Sequence, residues 1–273
     1  MNFFKKSILF TLVFSLMSFS VRADINVVTT IKPLHSLISN VMKGVGEPSL
    51  IIEGTSNPHN FVLKPSHAKL LQDADIIFWV GEDLEAFIEK PLKSLAKDTK
   101  KISFMELGSI SKLTFREENI FDHDDHDDHD GHDDHDGHKE DDHDDHDEHD
   151  DHEEHNHGEF DAHLWLDPVN AKKMVIEISH ELSELDPTNK NRYKANADKT
   201  IEDLDELIEE VNQLLSKDIS YVVFHDAYQY FEKRFEVTSA GALTLNPDVL
   251  PGAKQIVDIQ SLIKEKNIKC IFS

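Results

Sequence analysis

Apolar positions along this chain follow two rhythms, short β-branched runs and longer stretches with apolar residues three and four apart. Ile25 to Thr30 is a β-branched run ending at Lys32-Pro33, followed by a helical pattern from Leu34 through Met42 that Gly44 and Gly46 stop. Ser49 to Glu53 predicts a second short strand. Pro65 to Ala74 predicts a helix with Leu70 and Leu71 inward, and Ile76 to Val80 a wholly apolar strand of the buried parallel kind, closed by Gly81. Leu84 to Ala96 reads as a helix interrupted by Pro91, with Glu82, Asp83 and Glu85 as its solvated start, and Lys101 to Met105 as a further strand. Strands alternating with helices predict an α/β lobe with a parallel sheet.

The pattern resumes at Phe160. Asp167 caps a helix with Pro168 at its first position, running to about Leu185, where Asp186-Pro187 breaks it. Lys190 to Lys217 carries Ile201, Leu204, Leu207, Ile208, Val211 and Leu214 on one face and charge on the other. At about 1.5 Å per residue this helix would reach roughly 40 Å, a length suited to a strut between two lobes. A second α/β lobe begins with the strand Tyr221 to Phe224, which delivers His225 and Asp226 at its carboxyl end. A helix to about Phe235, a short strand around Val237 to Ser239, a loop from Asn246 to Gly252, a helix from Ala253 to Lys266 and a strand from Lys269 to Phe272 follow. The expected organisation is a signal peptide over 1–23, a first lobe over 24–185 that includes an unstructured loop at about 117–159, a connecting helix over 186–217 and a second lobe over 218–273. A lobe that stops on a strand with the unpaired Cys270 reads as incomplete.

Composition changes this picture most at one place. Between Asp122 and His157 lie twelve of the eighteen histidines: His123, His126, His129, His132, His135, His138, His143, His146, His149, His152, His155 and His157. Nothing there is apolar, so the run cannot bury enough surface to offset the entropy of ordering its backbone. It holds 20 acidic residues and one lysine, and so accounts for −19 of the formal net charge of −26, leaving −7 for the rest. The remainder is mildly acidic, with no basic patch to suggest nucleic acid. Neutral imidazole is a ligand for zinc, copper and nickel, and the interleaved carboxylates concentrate divalent cations. A tract without fixed geometry binds several ions weakly, so these twelve histidines are expected to form an auxiliary low-affinity metal segment.

The first 23 residues read as a secretory signal: Lys5 and Lys6, an apolar centre from Ile8 to Phe19, and a small-residue cleavage site at Val21-Arg22-Ala23. A twelve-residue apolar centre is too short to span a bilayer comfortably. The expected mature chain starts at Asp24, free in the periplasm and not inserted in the membrane.

Three histidines stand where an open α/β sheet places its ligands, in loops past strands or in turns that open helices. They are His59 in Ser56-Asn57-Pro58-His59-Asn60-Phe61, His163 in Asp161-Ala162-His163-Leu164-Trp165-Leu166-Asp167-Pro168, and His225 in Phe224-His225-Asp226-Ala227-Tyr228. His35 begins a helix near the same cleft, whereas His67 and His180 read as surface groups, and Trp79 and Trp165 as core and cleft wall. These segments, with Lys64-Pro65-Ser66 after His59 and Phe231 after His225, resemble the cluster A-I, or cluster 9, family of metal-binding substrate-binding proteins, and within it the zinc branch that serves ABC importers. The likeness runs from Ile25 to Ser273. It implies two α/β lobes with mainly parallel sheets, joined by one long helix, with metal held in the interlobe cleft by His59, His163 and His225.

The resemblance further implies a monomeric periplasmic protein, not an enzyme, that captures Zn2+ with high affinity and delivers it to the membrane permease subunit of a zinc ABC importer. Manganese-binding relatives place a carboxylate where His225 stands; three imidazoles suit a borderline-soft ion better than hard manganese. Some relatives carry a carboxylate just before the first histidine, where this chain has Pro58. The fourth coordination position therefore falls to water, to an aspartate beyond Ser273 or to a residue of the histidine-rich run. Three histidines plus water also describe a zinc hydrolase, although the chain has no His-Glu-x-x-His pattern. A standalone periplasmic zinc buffer would share the same ligands.

Overall fold

A computed structural model of the chain describes residues 25–120, 158–245 and 250–272. The expected signal peptide, the histidine-rich run from His123 to His157 and the loop residues 246–249 lie outside the described residues. Two parallel sheets organise the rest. The first is built from β1 (Val27–Thr29), β2 (Ser49–Leu50), β3 (Ile76–Trp79) and β4 (Lys100–Ser103), in the order β2-β1-β3-β4. The second is built from β5 (Tyr221–His225), β6 (Ala242–Thr244) and β7 (Cys270–Phe272), in the order β6-β5-β7.

β1 and β3 form the centre of the first sheet, with Val27 opposite Ile76 and Thr29 opposite Phe78, and every residue of both is buried. That explains why both strands read as unbroken apolar or β-branched runs: helices cover both faces of a parallel sheet. The helices of this lobe are α1 (Lys32–Val41), α2 (Pro65–Asp73), α3 (Glu82–Ser94) and α4 (Pro168–Leu185). Leu34, Ile38 and Val41 of α1 and Met174, Val175, Ile178 and Leu182 of α4 join the sheet residues in one core. Asp167 caps α4 by accepting from the Val169 N–H at 2.8 Å, as Asp-Pro predicts.

α3 departs from the sequence reading. It continues through Pro91, and its irregularity sits at Glu85, whose backbone is non-helical (φ −127°, ψ 47°). Glu85 is not part of a solvated start. It is fully buried and accepts hydrogen bonds from the Val80 and Gly81 N–H groups at 2.8 and 3.2 Å. Those donors belong to the two residues that lead from β3 into α3. Burial pushes its carboxyl up to about 7, against the pull of the Thr30 hydroxyl and those two N–H groups. Gly81 sits at φ +154°, and a Cβ there would meet the Met105 Cβ at 2.8 Å.

The long helix α5 spans Lys190–Leu214. Its first half packs on α4 and α1 and buries Tyr193, Ala197 and Thr200, while Leu207 and Leu214 on its second half stay exposed. The second lobe adds α6 (Gln229–Phe235) and α7 (Ala253–Glu265). The short strand expected around Val237 to Ser239 is displaced to Ala242–Thr244. Glu236 caps α6 in the left-handed region, and the Val237 N–H returns to the Glu232 carbonyl, so Val237 belongs to the helix exit. Residues 117–120, expected within an unstructured loop, instead lie ordered against the second lobe. Ile120 bridges Gly241, and Asn119 exchanges hydrogen bonds with Ala242.

Candidate metal site

The two sheets present their strand ends to a common cleft, and each of the three expected histidines reaches it from a different local structure. His59 sits in the loop between β2 and α2, its N–H bonded to the Asn57 side chain at 3.0 Å in a turn made by a short polar residue. His163 precedes a 3₁₀ turn over Leu164–Leu166 and is buried. His225 is the last residue of β5, in register with Thr244 of β6.

Their ring centroids lie 5.4 Å apart for His59 and His163, 5.9 Å for His59 and His225, and 5.3 Å for His163 and His225. One nitrogen of each ring falls within 4.8 Å of the others. The Nε2 atoms of His163 and His225 are 3.4 Å apart. Two nitrogens held at ~2.0–2.1 Å on a tetrahedral ion stand about 3.3–3.4 Å from each other, so this spacing is that of two ligands around one centre.

Protonation points the same way. His163 Nδ1 lies 2.6 Å from Asp161 Oδ1, and the same oxygen accepts the His163 backbone N–H at 2.9 Å. Asp161 is fully buried and accepts only, so the ring proton belongs on Nδ1 and the bare lone pair of Nε2 faces His225. A carboxylate behind a histidine fixes its tautomer and raises its basicity toward a metal. Burial, and secondarily His163, pull His225 down to about 4 against the opposing Asp161 charge, which keeps the ring neutral at ordinary pH. The two facing nitrogens are spaced to share a cation between them.

Sequence reasoning did not assign Asp161 a role, although an acid two residues before a candidate ligand was a visible signal. Also missed was Tyr230, whose hydroxyl donates to the Asp161 carbonyl at 2.7 Å and accepts from the Leu113 N–H at 3.0 Å, tying α6 to the first lobe. Trp165 lies 5.4 Å from the His163 ring, as a cleft wall should. His35 stands outside the cluster, bonded through Nε2 to the Pro48 carbonyl at 3.1 Å. His67 accepts the Lys64 N–H at the start of α2, and His180 is exposed. Glu177, His180 and Glu181 also come together on α4. There the Lys100 ammonium pairs with Glu181 and, at 3.0 Å, with Glu184, and so fills the cationic place itself.

Two parallel α/β lobes that meet at a cleft lined by histidines from both are the architecture of a two-lobed substrate-binding protein. A model of the family described as ZnuA, zinc-uptake complex component A periplasmic, matches residues 27–273, and the chain belongs to that family. It is 46% identical over 252 residues to the high-affinity zinc uptake system protein ZnuA of Brucella abortus, covering 90% of this chain and 75% of the relative. It is 32% identical over 253 residues to the protein of the same name from Yersinia pestis, covering 92% and 76%. The Zn(II)-bound ZnuA-like domain of Streptococcus pneumoniae AdcA shares the fold at a TM-score of 0.63 and 23% identity, over 91% of this chain and 78% of that one. Among the described residues no helix is long and apolar enough to cross a membrane.

Proposed function

We propose that this protein captures Zn2+ in the periplasm with high affinity and hands it to the membrane permease of a zinc ABC importer, with His59, His163 and His225 as the ligands. The 3.4 Å separation of the His163 and His225 Nε2 atoms, with a His59 nitrogen beside them, carries this reading, since it is the spacing of ligands around one cation. Family membership supports the transport role, and the relatives' names supply zinc as the cargo. The mature chain is a free monomer after loss of residues 1–23. The histidines from His123 to His157 serve as a weak auxiliary zinc segment.

The residues do this by preorganisation. His225 rides on a buried strand, Asp161 locks His163, and His59 closes the cluster from a loop. Binding therefore demands little rearrangement beyond stripping the ion of water. The three imidazoles leave the fourth position of a tetrahedral ion to water or to a group outside the described residues.

The test is zinc content and affinity of the wild-type protein and of His225→Ala, measured by competition with a chromophoric chelator. The wild type should hold one ion far more tightly than any other, and the variant should lose that ion. Equal tight binding by both would overturn the assignment.

A further inference from the structure

Among the contacts that seat the segment just ahead of the histidine-rich run on the second lobe, those of Arg116 reach the residue next to His225. Arg116 donates from Nη1 to Asp226 Oδ1 at 2.7 Å and from Nη2 to Glu232 Oε2. Both carboxylates are almost wholly buried, at 3% and 2% exposure. Glu232 Oε1 accepts in addition from the Tyr221 hydroxyl at 2.9 Å and the Ser239 N–H at 3.0 Å. One guanidinium thus ties together the start of β5 through Glu232, the turn at its end through Asp226, and α6.

We infer that Arg116 is a positioning residue for the metal cleft, clamping the His225–Asp226 turn in place from a part of the chain 110 residues away. This rests on the zinc reading above. Beyond β5 the turn is held by the Asp226 N–H to the Thr244 carbonyl at 3.2 Å and by the short Ala227 N–H to His225 carbonyl bond, and regular helix resumes only at Gln229. Two neighbouring buried carboxylates without a cation repel and lack solvent, so the turn would shift to relieve them. Metal sites tolerate about ±0.2 Å in ligand distance, so a small shift of His225 is felt at the ion. A guanidinium reaches two carboxylates at once with a rigid fork, which a lysine ammonium does not reproduce.

The clamp is itself held. The Leu113 N–H donates to the Tyr230 hydroxyl, and Asn119 Oδ1 accepts from Gln255 at 3.0 Å. The Asn119 backbone approaches so closely that a Cβ on Gly241 would lie 2.6 Å from the Asn119 carbonyl oxygen. Arg116 therefore enters the second lobe from a segment fixed on both sides of it.

The experiment compares full-length wild type, Arg116→Met and Arg116→Lys by chelator competition for zinc, by the d–d absorption of the Co2+-loaded protein, and by urea unfolding. Arg116→Met should weaken zinc binding at least tenfold and alter the cobalt spectrum under conditions where the protein is folded; Arg116→Lys should fall between it and wild type. A folded Arg116→Met with wild-type affinity and cobalt spectrum, even if less stable, would make the residue merely structural and overturn the clamp. Should Arg116→Met not fold, Arg116→Lys decides on the same readouts: at least a threefold loss with an altered spectrum supports the clamp, and wild-type values overturn it. Failure of the zinc reading looks different, because wild type itself would then take up no tight zinc or His225→Ala would bind as wild type does.

Discussion

At the scale of single residues, two buried carboxylates do opposite things. Asp161 is accounted for by His163, holding the ring proton away from the metal side. Asp161→Asn keeps an acceptor of similar shape but removes the charge, and changing the hydrogen-bond partner of a metal ligand in this way costs ~10–100-fold in metal affinity. Chelator competition should find zinc weakened within that range, and a variant as tight as wild type would show that the carboxylate charge is immaterial. Glu85, in contrast, sits at about 7 in the fold, above its ordinary 4.5. A raised acid binds more protons folded than unfolded, so its contribution to stability is full below about 4.5 and is lost as pH rises through about 7. Glu85→Gln should remove that decline, worth on the order of 3 kcal/mol at most between the two limits. Urea midpoints of metal-free wild type and variant at pH 5 and pH 8 check this; the wild type should lose ground to the variant at the higher pH, and parallel curves would contradict it. The role of Glu85 was not legible in the sequence, where Glu82, Asp83 and Glu85 look alike. Only the inward break at Glu85 separates it from its neighbours.

At the scale of elements, β5 is where sequence and site coincide, because a buried apolar strand that ends in His-Asp announces both its place in a sheet and the chemistry at its tip. The helix starts at Pro65 and Pro168 were equally legible, since proline is tolerated at a first helical turn and poorly inside one. What could not be read was pairing at a distance. Val237 to Ser239 has the better β-formers, yet β6 forms at Ala242–Thr244, because the αL cap at Glu236 spends the earlier residues and Gly241 admits Asn119 as an edge partner. The reach of Arg116 to Asp226 was illegible for the same reason: it depends on where residues 113–120 dock, and local pattern carries no record of that. Gly241→Ala tests this edge. Its new methyl would meet the Asn119 carbonyl oxygen at 2.6 Å, and overpacking of this kind costs about 1–3 kcal/mol. A urea midpoint unchanged by the substitution would mean that residues 117–120 are not seated on β6.

At the scale of the whole molecule, two classes of histidine share one chain and differ in their relation to protons. Those of the acidic run stand in a stretch of sequence without an apolar residue, and an imidazole with nothing to shift it has a pKa near 6.5. At pH 5.5 such an ordinary imidazole is about nine-tenths protonated, and a weak site that needs several of them loses roughly tenfold per ring. His225 is pulled down to about 4, and protons do not compete for it until far lower pH. A ligand with the ordinary imidazole pKa would weaken through about pH 6, and burial has moved His225 out of that window. Acidification from pH 7.5 to 5.5 should therefore strip zinc from the run first and bring the bound stoichiometry toward one. A variant lacking residues 122–157 should hold close to one ion at both pH values. If that variant loses its tight ion over the same interval in which wild type loses its weak ones, the cleft and the run are chemically alike, and burial of His225 has no part in protecting the cargo from protons.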